Sequence, residues 1–598
     1  MMMSVRRLLC VSTALALAGL TAACGADDSG AGFGDSGLDS AGGGIDDGDP
    51  GAGTGGAGDG DGEPPPEMED EGDFRVPRAS GRFVYSASEA TDSVAVIDSS
   101  TLAIDVVGVG RGPTVVAPLN AEGLVAVLDQ GSDDVALLRT DDDGETSVEI
   151  IPSSPGANNL AVSPDETLVY VYHDVDGPTE QGPGSDQELT AIDVQTQQVY
   201  EMTVGAHPRE IVFESTNERA YVVTDDGVNV VITAEIPMTG KPDLLPVVDD
   251  PAIDPANLEI QVAANQRTAL ARVAGDTRLF VTDLVSGELQ ELALPGPATD
   301  VDIVADGSFA IVTVPSTQGS RFVEIALPVD PAVEPVIHDV DGEYVGLAHL
   351  SPDGETMLLY TTVNPFGSES PLQPGWADPD GPMAGGGSGS SGGTDTGGSS
   401  TGDEGTTGDG SSDDGGDDGD DSGAVPPDQD PRQRITIARR GEGDWSERIT
   451  LFMDYPIDSV GMAPDGENAM LMHEPSPDGG ATPWSYTLLD VSKEFPVKKL
   501  QMVEAEPGAV VFTPEGDRSV VLLRDDATGV RRVDLVDLRS FIVDGLGLGS
   551  PPEGAGYVEA TDKIFVSQEH PTGRITFLDR DSGVETVTGF RLNDAVKD

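Results

Sequence analysis

Six histidines in a chain of 598 residues are the side chains best placed to do chemistry near neutral pH. Five of them, His173, His207, His338, His473 and His570, fall in polar stretches between apolar runs, and Asp174, Asp225, Asp226, Glu474, Asp525, Asp526 and Glu569 fall in equivalent places. Imidazole nitrogen and carboxylate oxygen together can hold a divalent metal or a cationic ligand. His173, His207, His338, His473, His570, Asp174, Asp225 and Glu474 are therefore the candidate ligand or metal set, with the metal left unspecified. No catalytic arrangement accompanies them. The chain has no G-x-S-x-G elbow, no H-E-x-x-H helix and no Walker-type phosphate loop. With 107 acidic residues, paired carboxylates recur everywhere and carry no evidence for glycosidase chemistry.

The same charge bounds the partners. Against those 107 acids stand 32 basic residues, a net charge of −75, which would repel nucleic-acid phosphates. A divalent cation, a basic protein surface or simple solvation suits such a chain better. Cys10 and Cys24 are the only cysteines, so the remainder can form no disulfide, thiolate metal site or haem attachment. A large domain without such staples must rely on buried apolar area.

The positions of these residues depend on the elements that carry them. Arg6 and Arg7 precede an apolar run from Leu8 to Leu20 and the small residues Thr21-Ala22-Ala23 before Cys24. This is the plan of a signal peptide over residues 1–23, with a run too short to span a membrane. Residues 24–75 are rich in Gly, Asp, Ser and Pro and cannot bury enough to fold. As a Gly-rich coil, about 50 residues reach roughly 40 Å.

From residue 76 onward short β-forming runs return with a period of about 40 to 50 residues. The unit is a proline, an apolar strand, an acidic turn, a second strand read as alternating, a variable loop, a strand ending at Asp, and a last strand. Its turns are Ser163-Pro164-Asp165-Glu166, Ser351-Pro352-Asp353-Gly354, Ala463-Pro464-Asp465-Gly466 and Thr513-Pro514-Glu515-Gly516. Its third strands include Val94-Ala95-Val96-Ile97-Asp98, Leu189-Thr190-Ala191-Ile192-Asp193 and Ile575-Thr576-Phe577-Leu578-Asp579. Val109-Gly110 and Val204-Gly205 close fourth strands.

Together with Phe83-Val84-Tyr85-Ser86, these segments resemble YVTN repeats, and Thr21-Ala22-Ala23-Cys24 resembles a bacterial lipobox, with Thr21 where that motif usually has Leu. The first resemblance implies an all-β propeller of four-stranded blades, numbering seven to ten, and the second implies lipidation of Cys24. First strands are expected near Thr114, Asn158, Arg209, Leu258, Thr299, Val345, Asp458, Ala509 and Gly554. The segment at Phe83 lacks one, which Gly589 to Leu592 would supply to close the ring. On this scheme His173, His473 and His570 follow second strands, His207 and His338 lie between a fourth strand and the next first strand, and His349 lies inside a first strand. The first two classes open on one face, which unites the candidate set.

Residues 367–430, again Gly, Ser, Thr and Asp, interrupt one blade, dividing the propeller into 76–366 and 431–598. The tract reads as an inert loop or a polyanionic arm for divalent cations. Asp59-Gly60-Asp61-Gly62-Glu63 hints at calcium without the full EF-hand spacing. Gly25 after the cysteine, where Asp would resemble an inner-membrane retention signal, points to the outer membrane. The expectation is a monomeric propeller with no cofactor, lipid-anchored at the cell envelope, binding a protein or glycan without catalysis. The alternatives are a propeller enzyme (lyase, lactonase or dehydrogenase-associated subunit) using the central channel, and a cation-responsive surface protein.

Overall fold

The computed structural model describes Phe74–Arg75 and residues 79–591, except 120, 175–186, 239, 251–252, 317–318, 341–342, 363–432, 442–443, 474–483 and 580–582. The signal peptide, Cys24, the tract following it to residue 73, the insertion at 367–430 and Glu474 lie outside the described residues.

Most second and third strands are runs of mainly apolar residues buried along nearly their whole length, as in Leu168–Tyr172 and Ser93–Asp98. A strand buried on one face would alternate; these do not, because both faces of each sheet are covered. Val169 and Val171 pack towards the preceding sheet, whereas Leu168, Tyr170 and Tyr172 pack towards the following one. The expected alternation in this strand is thus an alternation of neighbours, not of burial.

The result is an all-β ring of ten blades, spanning 83–108, 113–152, 159–203, 210–245, 258–293, 300–340, 347–452, 457–502, 507–547 and 552–588. Each is an antiparallel sheet in chain order, numbered here 1 to 10. First strands of adjacent blades touch and so lie innermost, as Pro113–Pro118 does with Asn159–Val162. Fourth strands, such as Ile542–Gly547, are outermost and mostly exposed. Eight of the sheets have four strands, that of blade 9 has a fifth, and blade 1 has three, beginning at Phe83–Ser88. All nine expected first strands are present, so no unit of the repeat is spurious.

Ten apolar clusters fill the ten interfaces between neighbouring blades. The tenth joins Val84, Ala95 and Ile97 of blade 1 to Val558, Ile575 and Phe577 of blade 10, closing the ring. Phe590 enters that same cluster. Lys563 Nζ adds a buried hydrogen bond to the Ser99 carbonyl (2.9 Å). The expected closure by a C-terminal strand is different in form: Phe590 and Arg591 are in a turn, and blade 1 gains no fourth strand among the described residues. Packing of one aromatic replaces strand pairing. Among the described residues no helix is long and apolar enough to cross a membrane.

The acidic turns join first to second strands and stack around one face. In Ser351-Pro352-Asp353-Gly354 the Ser351 hydroxyl donates to Asp353 Oδ1 (2.6 Å) and the Gly354 amide to the Ser351 carbonyl (2.8 Å). Gly516 has φ +68°, and a Cβ there would collide with the carboxylate of Asp465 in the preceding blade. Where a third strand ends at Asp, as in six of the ten blades, that Asp builds the next turn on this face. Asp193 Oδ1 accepts from the amides of Gln195 (3.0 Å) and Thr196 (2.6 Å). At Asp98 burial opposes ionisation, but hydrogen bonds from Ser100, Arg82 and Thr101 outweigh it and lower the pKa to about 2.

Candidate binding face

The opposite face carries the connections from second to third strands and from each fourth strand to the next blade. All three long segments outside the description within the ring, 175–186, 363–432 and 474–483, begin and end here, each between a second and a third strand. The candidate histidines divide between this face and the rim.

His473 ends the second strand of blade 8 and is buried. Its Nδ1–H donates to the Pro456 carbonyl (3.0 Å), and its Nε2 accepts from the Thr487 hydroxyl (2.7 Å). Burial lowers its pKa to about 4, keeping the ring neutral. His173 follows the second strand of blade 3 and does the same work, donating from Nδ1 to the Gly156 carbonyl (2.9 Å). In both blades the imidazole ties the incoming segment to the strand beside it. Gln568 performs this task in blade 10, accepting from the Ser550 amide (3.2 Å). Asp129 does so in blade 2, where its Oδ2 accepts from the Gly110 amide (2.9 Å). Burial and the neighbouring Asp134 carboxyl push the Asp129 pKa up to about 8, so it holds a proton at neutral pH.

Blade 4 has a half-buried version. Asp225 receives His207 Nδ1 on Oδ2 (2.6 Å) and Arg209 Nε on Oδ1 (3.0 Å), joining the candidate His207 and Asp225 directly. His570 of blade 10 accepts at Nδ1 from the Thr572 hydroxyl (3.0 Å). Asp174 is buried, and its backbone exchanges two hydrogen bonds of 2.7 Å with the Asn158 side chain. Arg524 of blade 9 reaches Glu569 of blade 10 (2.6 Å) and Asp526 (2.7 Å).

His338 is a correction. It lies inside the fourth strand of blade 6 (Val336–Val340), at the outer rim and away from the other candidates. Its ring stacks on Phe322 with centroids 4.6 Å apart, with Nε2 3.6 Å from Glu324 and Nδ1 3.7 Å from Asp444. Glu324 also receives Trp445 Nε1 (3.0 Å) and Arg440 (2.6 Å) of blade 7, so this group fastens two blades together. Asp339, which follows, is exposed, but Val340 is buried, and the strand pairing of Phe322 with His338 continues to the end of the strand. His349 lies in a first strand, as expected.

Among the described residues no three His, Cys, Asp or Glu side chains converge to hold a metal ion. One small depression of about 400 Å³ opens beside Arg139, Glu149, Glu166 and Gln197, on the turn side of blades 2 and 3. Arg139 there already donates to the Val194 carbonyl (2.9 Å). Among the described residues, the loop-face side chains named above are engaged in local pairs.

No family model matches the chain, and none of the curated proteins matches it. Solved structures do. Hydrazine synthase of Kuenenia stuttgartiensis is 13% identical, with 67% of this chain and 97% of that one covered at a TM-score of 0.32. The dihydro-heme d1 dehydrogenase NirN is 13% identical over 71% of this chain and 73% of that one, at 0.37. A eukaryotic initiation factor is 10% identical over 86% and 96%, at 0.46. Likeness at these levels carries no reading of function.

Proposed function

We propose that the chain is a YVTN-type propeller lipoprotein, anchored through Cys24 at the cell envelope, and that it works as a non-catalytic binding or scaffolding module. The observation that carries the reading is the placement of the three long connections, all on one face. A closed ring with a packed cluster at every interface supplies a rigid platform, and variable loops on such a platform are where recognition resides. The bound partner would be an envelope protein or a glycan.

Two separable experiments test it. A fatty-acid label should appear on the native chain and vanish in Cys24→Ser; an unlabelled native chain would contradict the anchor. Cross-linking in intact cells should then capture a reproducible partner. Failure to capture one, with turnover of a small molecule by the purified ring, would favour an enzyme instead.

A further inference from the structure

Phe74 and Arg75 form a short strand that pairs in parallel with the first strand of blade 9, Phe74 opposite Val510 and Arg75 opposite Val511. It is the fifth strand of that sheet, added beside Pro507–Phe512. First strands are innermost, so the added strand lies on the edge that faces the central channel. In the other nine blades the described sheet ends at its own innermost strand.

The parallel sense sets a direction. The strand Pro507–Phe512 runs from the loop face, where the connection from blade 8 arrives, to the turn face, where Thr513-Pro514-Glu515-Gly516 begins. The N-terminal strand runs the same way. A second contact agrees with that path: Ser80 Oγ donates to the Ala121 carbonyl (3.0 Å) in the first turn of blade 2, on the turn face. Blade 1 then starts at Phe83 and returns to the loop face.

We infer that the channel's inner edge is a docking site for extended polypeptide and that the chain's own N-terminal segment is its occupant, threading the ring from loop face to turn face. An unpaired strand edge offers a row of free N–H and C=O groups, and adding a strand satisfies them with little demand on side chains. The Phe74 end of this strand therefore points to the loop face. Under the lipoprotein reading, on which only this consequence rests, the path from the ring to the anchor starts from the loop-face end of this strand.

Cys10 and Cys24 are the only cysteines, so replacing both leaves a chain free of thiols, which makes cysteine pairing a clean test. In a background with both Cys10→Ser and Cys24→Ser, Phe74→Cys should oxidise readily with Val510→Cys, and at least tenfold less with Val301→Cys or Ala348→Cys in the first strands of blades 6 and 7. Equal yields in all three pairs, or none with Val510→Cys, would overturn the pairing. A benzoylphenylalanine replacing Glu71 reads the direction: cross-links to 503–507 support entry from the loop face, and cross-links to 512–516 contradict it. Should the cysteine variants misfold, amide exchange decides instead. Deleting 25–78 should speed exchange in 507–512 about tenfold while the other first strands keep their rates, and unchanged exchange there would refute the contact. Fatty-acid labelling at Cys24 is read independently, so loss of the anchor reading leaves the threading result intact.

Discussion

The Nδ1–H of His473 donates to the carbonyl of Pro456 at 3.0 Å, linking the end of a second strand to the segment that enters its blade. His173 and Gly156 repeat the relationship in blade 3 at 2.9 Å. Histidines that look like ligands in the sequence are, in these two blades, fasteners of the ring.

His473→Ala leaves the Pro456 carbonyl and the Thr487 hydroxyl without this partner in a buried place, and should cost about 1–3 kcal/mol of stability. The native residue also makes stability pH-dependent. Its pKa falls from 6.5 to about 4 on folding, so the unfolded chain takes up the proton first as pH drops. This contribution is complete above pH 6.5 and is lost between there and about pH 4. Thermal melts of wild type and His473→Gln across that window should diverge at neutral pH and converge towards pH 4.

Asp129 has the opposite sign. Its folded pKa is raised to about 8, so the folded chain holds a proton that the unfolded chain releases near pH 4. The contribution is complete below pH 4 and disappears as pH rises through 8. Asp129→Asn cannot ionise and should flatten this decline, melting above the wild type at pH 9. A steeper decline in the variant would refute the protonated assignment.

Gly516 needs its glycine twice over, for φ +68° and for the approach of Asp465. Gly144 has φ +83° and open space around it. Gly144→Ala should therefore cost only the backbone term, about 1 kcal/mol, and Gly516→Ala measurably more. Equal losses in denaturant unfolding would mean that the stacked turns are not in contact.

Ring closure is concentrated in one cluster. Phe577→Ala should cost about 3–5 kcal/mol, as for a buried aromatic elsewhere, and Phe590→Ala should fall in the same range. Because Phe590 lies beyond the last strand, an effect of that size would show that a single turn, without strand pairing, seals blade 10 to blade 1. A loss below about 1 kcal/mol would show that Phe590 is dispensable.

The architecture was largely legible because each blade is specified locally. Ser351 and Asp353 bond within two residues, and Asp193 caps a turn within three, so these contacts leave a pattern in the sequence. The site was not legible for the converse reason. His473 meets Pro456 across 17 residues, and Glu324 meets Trp445 across 121, bonds that only the packed ring creates. The His338 error has the same origin: a buried face against Phe322 is set by pairing, not by the polar residue that follows. The residue type recurring after second strands, here His, Asp or Gln, was the available signal for the fastener role.

The central claim is that the face bearing the long connections is the working surface. Quantitative in-cell cross-linking can compare the intact chain, a variant with 175–186, 363–432 and 474–483 replaced by short Gly-Ser turns, and a turn-face variant carrying Glu355→Lys and Glu515→Lys. The account predicts a specific partner recovered with the intact chain and the turn-face variant and lost when the connections are shortened. Undiminished recovery with the shortened connections, or loss confined to the turn-face variant, would contradict it.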